Sequence, residues 1–224
     1  EQLVASKVPL NIPGAWDRIL QGTRQSQGGM PVFASAPFAI QEALLFPYIN
    51  GAQFFQRYKE QFANGTLNYR NLPVSTEQIL HPTKFFDERD DPVTVRFAPI
   101  AGVTPTFDDN LGEFGIRVLL FDRLRIPEAI RAASGWDGDR YMVFSHNGHP
   151  ALAWASVWDS DLDVRLFENI MNRYIGMMQS AKRDTRVRQL TVGEVAGRWT
   201  ALYVDLPVGS DVGMIPMSSI RITE

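Results

Sequence analysis

Chemistry in this chain has to come from three histidines, a scatter of carboxylates and the hydroxyl residues, because there is no cysteine. That absence removes disulfides, thiolate nucleophiles and cysteine-ligated zinc or iron–sulfur sites together. His146 and His149 stand three apart but straddle Asn147-Gly148, the dipeptide best suited to a two-residue hairpin turn. They read as exposed turn residues whose side chains need not converge. His81 closes the run Ser75-Thr-Glu-Gln-Ile-Leu-His-Pro82 and reads as a helix C-terminal histidine, set against the dipole and the preceding carbonyls.

Two acidic clusters, Asp108, Asp109 and Glu113, then Asp159, Asp161 and Asp163, could pair carboxylates for acid/base work. Both fall at expected helix N-termini, where capping and the macrodipole select acids in any protein. Asp137-Gly-Asp139 has the look of a calcium-loop fragment but lacks the regular ligand spacing and closing glutamate, so it reads as a turn before a strand. There is no G-x-S-x-G, P-loop or G-x-G-x-x-G, which takes the support from serine-hydrolase, nucleotide-binding and dehydrogenase chemistry. No catalytic, cofactor-binding or metal residue is assigned, and no cofactor is expected.

Positioning elements follow from local signals. In the 73–86 stretch, Ser75 can accept from the N–H of Gln78 while the Gln78 side chain reaches back to the N–H of Ser75, a capping box. Pro82 stops that helix at His81. Upstream, residues 1–36 are rich in Gly, Pro, Ser and Gln and read as an extended arm and loop with a weak helical patch at Trp16 to Leu20. The arm's Leu10, Ile12, Trp16, Ile19 and Leu20 are too apolar for a free tail and predict a surface to lie against.

The 37–107 region predicts two helices, Pro37 to about Phe46 and Pro47 to Ala63. In the second, Ile49, Ala52, Phe55, Tyr58 and Phe62 share a face and Asn64-Gly65 closes the end. An edge strand over Val93 to Ala98 follows. In the 108–224 region, Asn110 and Glu113 look like a capping pair for a helix to about Leu124, with Leu111, Phe114, Val118, Leu119 and Asp122 marking its turns. Ile126-Pro127 starts another helix ending at Gly135. Arg140 to Ser145 and Ala151 to Trp158 form a hairpin about Asn147-Gly148, and Val187 to Val195 and Trp199 to Leu206 a second about Ala196-Gly197.

Between the hairpins Ser160 caps a helix to about Ala181 with Leu162, Leu166, Ile170, Tyr174 and Met178 at i, i+4 spacing. Met171, Met177 and Met178 leave that helix apolar over more than one face, which suggests a second contact surface. After Pro207 the signals are poor. The fold class is α+β: a mostly helical first half, then a small antiparallel sheet of two hairpins with helices on one face. The three regions 1–36, 37–107 and 108–224 also admit one continuous domain.

With 224 residues, 45% hydrophobic and 21% charged, the chain has an ordinary globular composition. A net charge of −3 gives no footprint for nucleic acid or an anionic membrane. The longest apolar runs, such as Val118 to Phe121, fall far short of a membrane helix. The first residue, Glu1, points to a processed or trimmed product, with any signal peptide or anchor out of view. The five Trp and seven Met read as core rather than as a cofactor box.

Several segments, in order, resemble one family: Leu45-Phe-Pro-Tyr48 with Gly51, Ser75 to Pro82 with Lys84, Leu111-Gly-Glu-Phe-Gly115, Gly135-Trp-Asp-Gly-Asp-Arg-Tyr141, Ala153-Trp154 and Val157-Trp-Asp-Ser160. Over about residues 37–168 the chain is similar to the C-terminal half of bacterial, often exported, gluzincin-like zinc-metallopeptidase proteins. The resemblance implies a metal site upstream, on a helix carrying H-E-x-x-H and a later helix with a glutamate ligand, where two histidines one turn apart hold zinc and the glutamate activates water. This chain contains no H-E-x-x-H. Under the resemblance His81 would stand near a zinc site supplied by another segment, either supporting the metal's ligands from behind or stabilising the transition state.

The resulting expectation is a non-catalytic metallopeptidase-like module, a pseudoenzyme serving as a binding or structural subunit. It would be extracytoplasmic, periplasmic or exported, and part of a larger membrane-associated assembly. A protein partner would meet it through the 1–36 arm or the 161–181 helix. The alternative is the C-terminal fragment of a zinc metallopeptidase, and for location the cytoplasm.

Overall fold

A computed structural model of the chain describes residues 31–62, 71–180 and 185–224. The chain divides into two compact units, Glu1–Thr66 and Leu67–Glu224, a boundary inside the 37–107 region. In the first unit, α1 (Pro31–Ser35) lies where a loop was expected, and α2 (Phe38–Gln61) is one continuous helix where two were predicted. Pro47 is accommodated inside it, and Pro37 stands before the first turn at the cap. The buried residues of α2 are Phe54 and Tyr58, with Phe55 and Phe62 exposed, so the expected face is displaced by about one position. The Trp16 to Leu20 patch and the Asn64-Gly65 stop lie outside the described residues.

The second unit opens with α3 (Thr76–Leu80) and α4 (Thr83–Phe86), separated by Pro82, which ends one turn of helix and caps the next. Then follow β1 (Thr94–Phe97), β2 (Pro105–Asp109), α5 (Gly112–Phe121), α6 (Ile126–Ala133), β3 (Trp136–His146) and β4 (His149–Trp158). The chain continues through α7 (Asp161–Gln179), β5 (Arg186–Val195) and β6 (Arg198–Pro207), then two 3₁₀ turns at Val212–Met214 and Met217–Ser219, to β7 (Ile220–Thr223). The class is α+β, as the residues indicated.

Five strands form one antiparallel sheet in the order β2-β3-β4-β6-β5, and β1 pairs with β7 in a second, two-stranded sheet. Both expected hairpins are present. Asn147 (φ 52°) with Gly148 and Ala196 (φ 50°) with Gly197 supply the positive-φ pairs that match the strands' twist. Two strands carried no readable signal. β2 is exposed along its whole length, and β7 is four residues at the end of the stretch after Pro207.

The central strands are covered on both faces, so β4 (His-Pro-Ala-Leu-Ala-Trp-Ala-Ser-Val-Trp) reads as an almost unbroken apolar run. Trp154 and Trp158 point to the helices α5, α6 and α7, where Phe167 stacks on Trp158 at 4.4 Å and meets Trp154 edge-on at 5.7 Å. Ala151, Ala153, Ala155 and Val157 point the other way, into a core shared with Val93, Val95, Ile215 and Ile220 from the small sheet. Helices on one face is thus half of the arrangement; β1 and β7 close the other.

α7 begins as predicted, with Ser160 accepting from the N–H of Asp163. Its buried row is Val164, Phe167, Ile170, Met171, Tyr174 and Ile175, while Leu162 is 76% exposed. A strict i, i+4 row advances 400° per step and so drifts about 40° around a 3.6-residue helix, which carries its first member away from the core. Met171 is buried and Met178 half-buried against the same core, which leaves Leu162 and Met177 as the exposed large apolar side chains of this helix. No helix among the described residues is long and apolar enough to cross a membrane.

Candidate functional site

The family-like motifs of the second unit, far apart in sequence, meet beneath α3. Ser75 caps that helix by accepting from the N–H of Gln78 at 3.2 Å. The return bond differs from the predicted one: Gln78 Oε1 accepts from the N–H of Val74, 2.8 Å, one residue before the cap. The Gln78 amide is fully buried and also donates to the Asp90 carbonyl and to Asp91 Oδ1, so the glutamine pins the following loop as well as its own helix.

His81 sits at the C-terminus of α3 with its side chain about one-third exposed, and Nε2 lies 2.9 Å from Glu113 Oε1 on α5. Glu113 is completely buried. The same oxygen accepts from Arg117, one turn along α5, through Nε and a terminal nitrogen. The second oxygen, Oε2, is buried and has no hydrogen-bond partner among the described residues. The same ring nitrogen also lies 3.3 Å from a terminal nitrogen of Arg117, so imidazole, guanidinium and carboxylate meet in one group. Glu113 is therefore no cap for its own helix, as had been expected with Asn110, but the buried anchor of an imidazole and a guanidinium.

The N-terminus of α5 is capped from a distance. Asp139 on β3 accepts from the N–H of Leu111 (2.8 Å) and of Gly112 (2.9 Å), and from the indole N–H groups of Trp136 and Trp154 at 3.0 Å each. Burial pushes its carboxyl up from the ordinary aspartate range, and the four N–H donors pull it back. Four N–H donors are the full complement two carboxyl oxygens can take, so the group is satisfied without a cationic partner. Gly112 has φ +67°, and a Cβ there would stand 2.7 Å from Thr76 Oγ1, so the approach of α3 to α5 requires glycine.

Asp137, two residues earlier, is also buried and pairs with Arg198 at 3.2 Å, while its carbonyl accepts from Val93. Burial first, then nearby Asp159, raises its pKa to about 6. Asp137-Gly-Asp139 is thus no turn: it lies within β3 at a bulge, and Gly138 lets the Val93 carbonyl come within 2.4 Å of where a Cβ would be.

A third group surrounds Lys84 on α4. Its ammonium contacts Glu77 Oε1 at 2.8 Å, Asp90 at 2.8 Å and Asp159 at 2.7 Å. One cation cannot neutralise three carboxylates, and Glu77 is the most deeply buried of them. Burial raises its pKa to about 8 despite Lys84. Asp159 is raised for the same reason, and Lys84, facing three acids, is held well above its ordinary value.

These residues do not fit a zinc ion. The position a cation would take among the carboxylates is filled by the Lys84 ammonium, and His81 is engaged by Glu113. No three His, Asp or Glu side chains among the described residues are placed to hold a metal. His146 and His149 face each other across the hairpin end, and Asp108 is paired with Arg140. Asp161 pairs with Arg165, and Asp163 with the Ser160 hydroxyl. The burial of Glu77, Asp137 and Asp139 escaped the sequence reading, which gave Asp137 and Asp139 only a turn. Their only signal was membership of the motifs, since nothing local marks an acid as buried.

Over residues 102–212 the chain matches a family model described as Domain of unknown function (DUF8575). That span takes in the five-stranded sheet and α5 to α7, and it leaves out α3, α4, β1 and β7. No curated protein matches the chain, and no solved structure does.

Proposed function

We propose that the chain is a non-catalytic, metallopeptidase-like module acting as a binding or structural subunit. One observation supports this reading above the others: the ionisable side chains of the motifs are engaged with one another. His81 and Arg117 hold Glu113, Lys84 joins Glu77, Asp90 and Asp159, and Asp139 clamps α5 to two tryptophans. Such a network fixes elements in place, as a scaffold for recognition requires. The partner in this reading is a protein met through the 1–36 arm, with its apolar Leu10, Ile12, Trp16, Ile19 and Leu20. The setting is extracytoplasmic, in an assembly whose membrane attachment comes from a partner or an anchor outside this chain. Affinity purification from the native source followed by native mass measurement tests it. A defined larger complex is expected, and an isolated monomer overturns the reading.

A second reading has its own support in Glu113. The buried Oε2 has no hydrogen-bond partner among the described residues, and the adjoining His81 is partly open to solvent. A buried oxygen left in this way suits a site completed by a segment beyond the described residues, as in a C-terminal fragment of a zinc metallopeptidase. An open reading frame with H-E-x-x-H upstream of Glu1 decides for the enzyme. Stoichiometric zinc on the isolated 1–224 chain would contradict the module reading directly.

A further inference from the structure

On the helix-covered face of the sheet, one cross-strand row sets Tyr141 of β3, Trp154 of β4 and Tyr203 of β6 side by side. Three rings in one row cannot be covered evenly by rods about 10 Å apart. α6 packs against both α5 and α7, and between Leu119 of α5 and Met171, Tyr174 and Met178 of α7 a cavity of about 250 Å³ remains. Its floor is buried Trp154, Met171, Tyr174 and Tyr203, and its rim, including Leu111, Leu119 and Tyr141, is half-exposed, so the opening reaches solvent.

At one end stands Asp205, the single charged residue among the described residues that line the cavity. Arg186 (2.6 Å) and Arg188 (3.0 Å) hold its carboxylate from the outer strand β5. The Tyr203 hydroxyl lies 3.5 Å from Asp205 Oδ2, the outer limit of a hydrogen bond, so both groups keep capacity for a third. Burial, then the charge of Asp205, pushes the phenol well above its ordinary pKa, which keeps its proton available to donate.

We propose that this cavity binds a small hydroxylated aromatic compound of one or two rings, its ring among Tyr141, Trp154 and Tyr203 and its hydroxyl between Tyr203 and Asp205. Size sets the upper bound: an apolar cavity of ~150 Å³ already takes benzene. Composition sets the class, since aromatic walls favour offset and edge-on ring contacts and the paired hydroxyl and carboxylate ask for a partner that both donates and accepts. This deepens the reading of the chain as a binding module by naming a ligand class for it, at a site distinct from the Lys84 and His81 clusters.

The probe is 2-naphthol, titrated into the ¹⁵N-labelled 1–224 chain. Trp154 donates its indole N–H to Asp139, which makes its indole cross-peak a local reporter among five tryptophans. That cross-peak is expected to shift saturably, and that of Trp158, buried against Phe167, to stay. Leu119→Trp and Met178→Trp fill the cavity from two sides of its rim, and each is expected to weaken binding by roughly tenfold or more. Unchanged dispersion of the remaining cross-peaks reports that each variant is folded. No saturable shift in the natural chain, or equal binding in both filled variants, overturns the proposal. A protein complex recovered from the native source alongside a silent titration would remove the ligand site and leave the module reading standing.

Discussion

His81 Nε2 and Glu113 Oε1 lie 2.9 Å apart, joining the C-terminus of α3 to the interior of α5 across thirty-two positions of chain. Arg117 closes the group from the same helix and is far less exposed than His81 (12% against 35%). The two partners should therefore be unequal. Arg117→Ala leaves Glu113 buried with only a part-exposed imidazole and is expected to destabilise the protein by about 3 kcal/mol in urea unfolding. His81→Asn should cost less than ~1 kcal/mol, because solvent already screens that pair. The opposite ranking would mean that His81, and not Arg117, holds the carboxylate.

Asp139→Asn tests the distant cap of α5. The substitution turns one acceptor into an N–H₂ group facing N–H donors, so at least two of the four bonds are lost in a buried site. A loss of about 2–4 kcal/mol is expected, at the upper end of what one buried polar group costs. Tryptophan fluorescence should register it as well as chemical denaturation, since Trp136 and Trp154 both lose their partner.

Gly112→Ala combines a backbone conformation that L-residues rarely adopt with a Cβ 2.7 Å from Thr76 Oγ1. The expected destabilisation is about 1–3 kcal/mol. Gly148→Ala, also at positive φ but with open space around it, should cost less; comparing the two melting curves separates crowding from backbone strain.

Stability should fall as pH rises from mildly acidic to alkaline. Glu77 is raised to about 8 and Asp137 to about 6, with Asp159 raised too, so the folded state holds protons that the unfolded chain releases. Their contribution is fully present below the ordinary carboxylate range and is lost as pH climbs through about 8. Lys84, shifted upward from its ordinary value, keeps its charge throughout that window. A lower thermal midpoint at pH 8.5 than at pH 5.5 is expected, and Glu77→Gln, which still accepts from Lys84, should flatten the decline. An unchanged slope in that variant would show that the burial of Glu77 does not drive it.

Local chemistry was enough to read several elements. The Ser75 and Ser160 caps, the stop at Pro82 and the two positive-φ hairpin turns rest on interactions within a few residues, so the sequence by itself determined them; β1 was legible from its alternation although its pairing is with distant β7. Elements held by distant partners were not legible. β2 is fully exposed and β7 very short; each exists because another strand offers its edge, β3 in one case and β1 in the other. Pro47 looked like a boundary because a proline costs one backbone bond and local rules cannot weigh that loss against the rest of a 24-residue helix.

The same division holds for the site. Sequence alone marked Glu77, His81, Lys84, Glu113, Asp137 and Asp139 as members of motifs and assigned Glu113, Asp137 and Asp139 local duties as caps and turns. Tertiary structure decided that these acids are buried, because burial depends on which elements lie on top: α3 over α5, Val93 over Gly138, and Asp159 brought to Lys84 from 75 residues away. An acid at a helix start and an acid under another helix look alike in sequence. They differ in what has displaced the water around them, and that is settled only when the layers close.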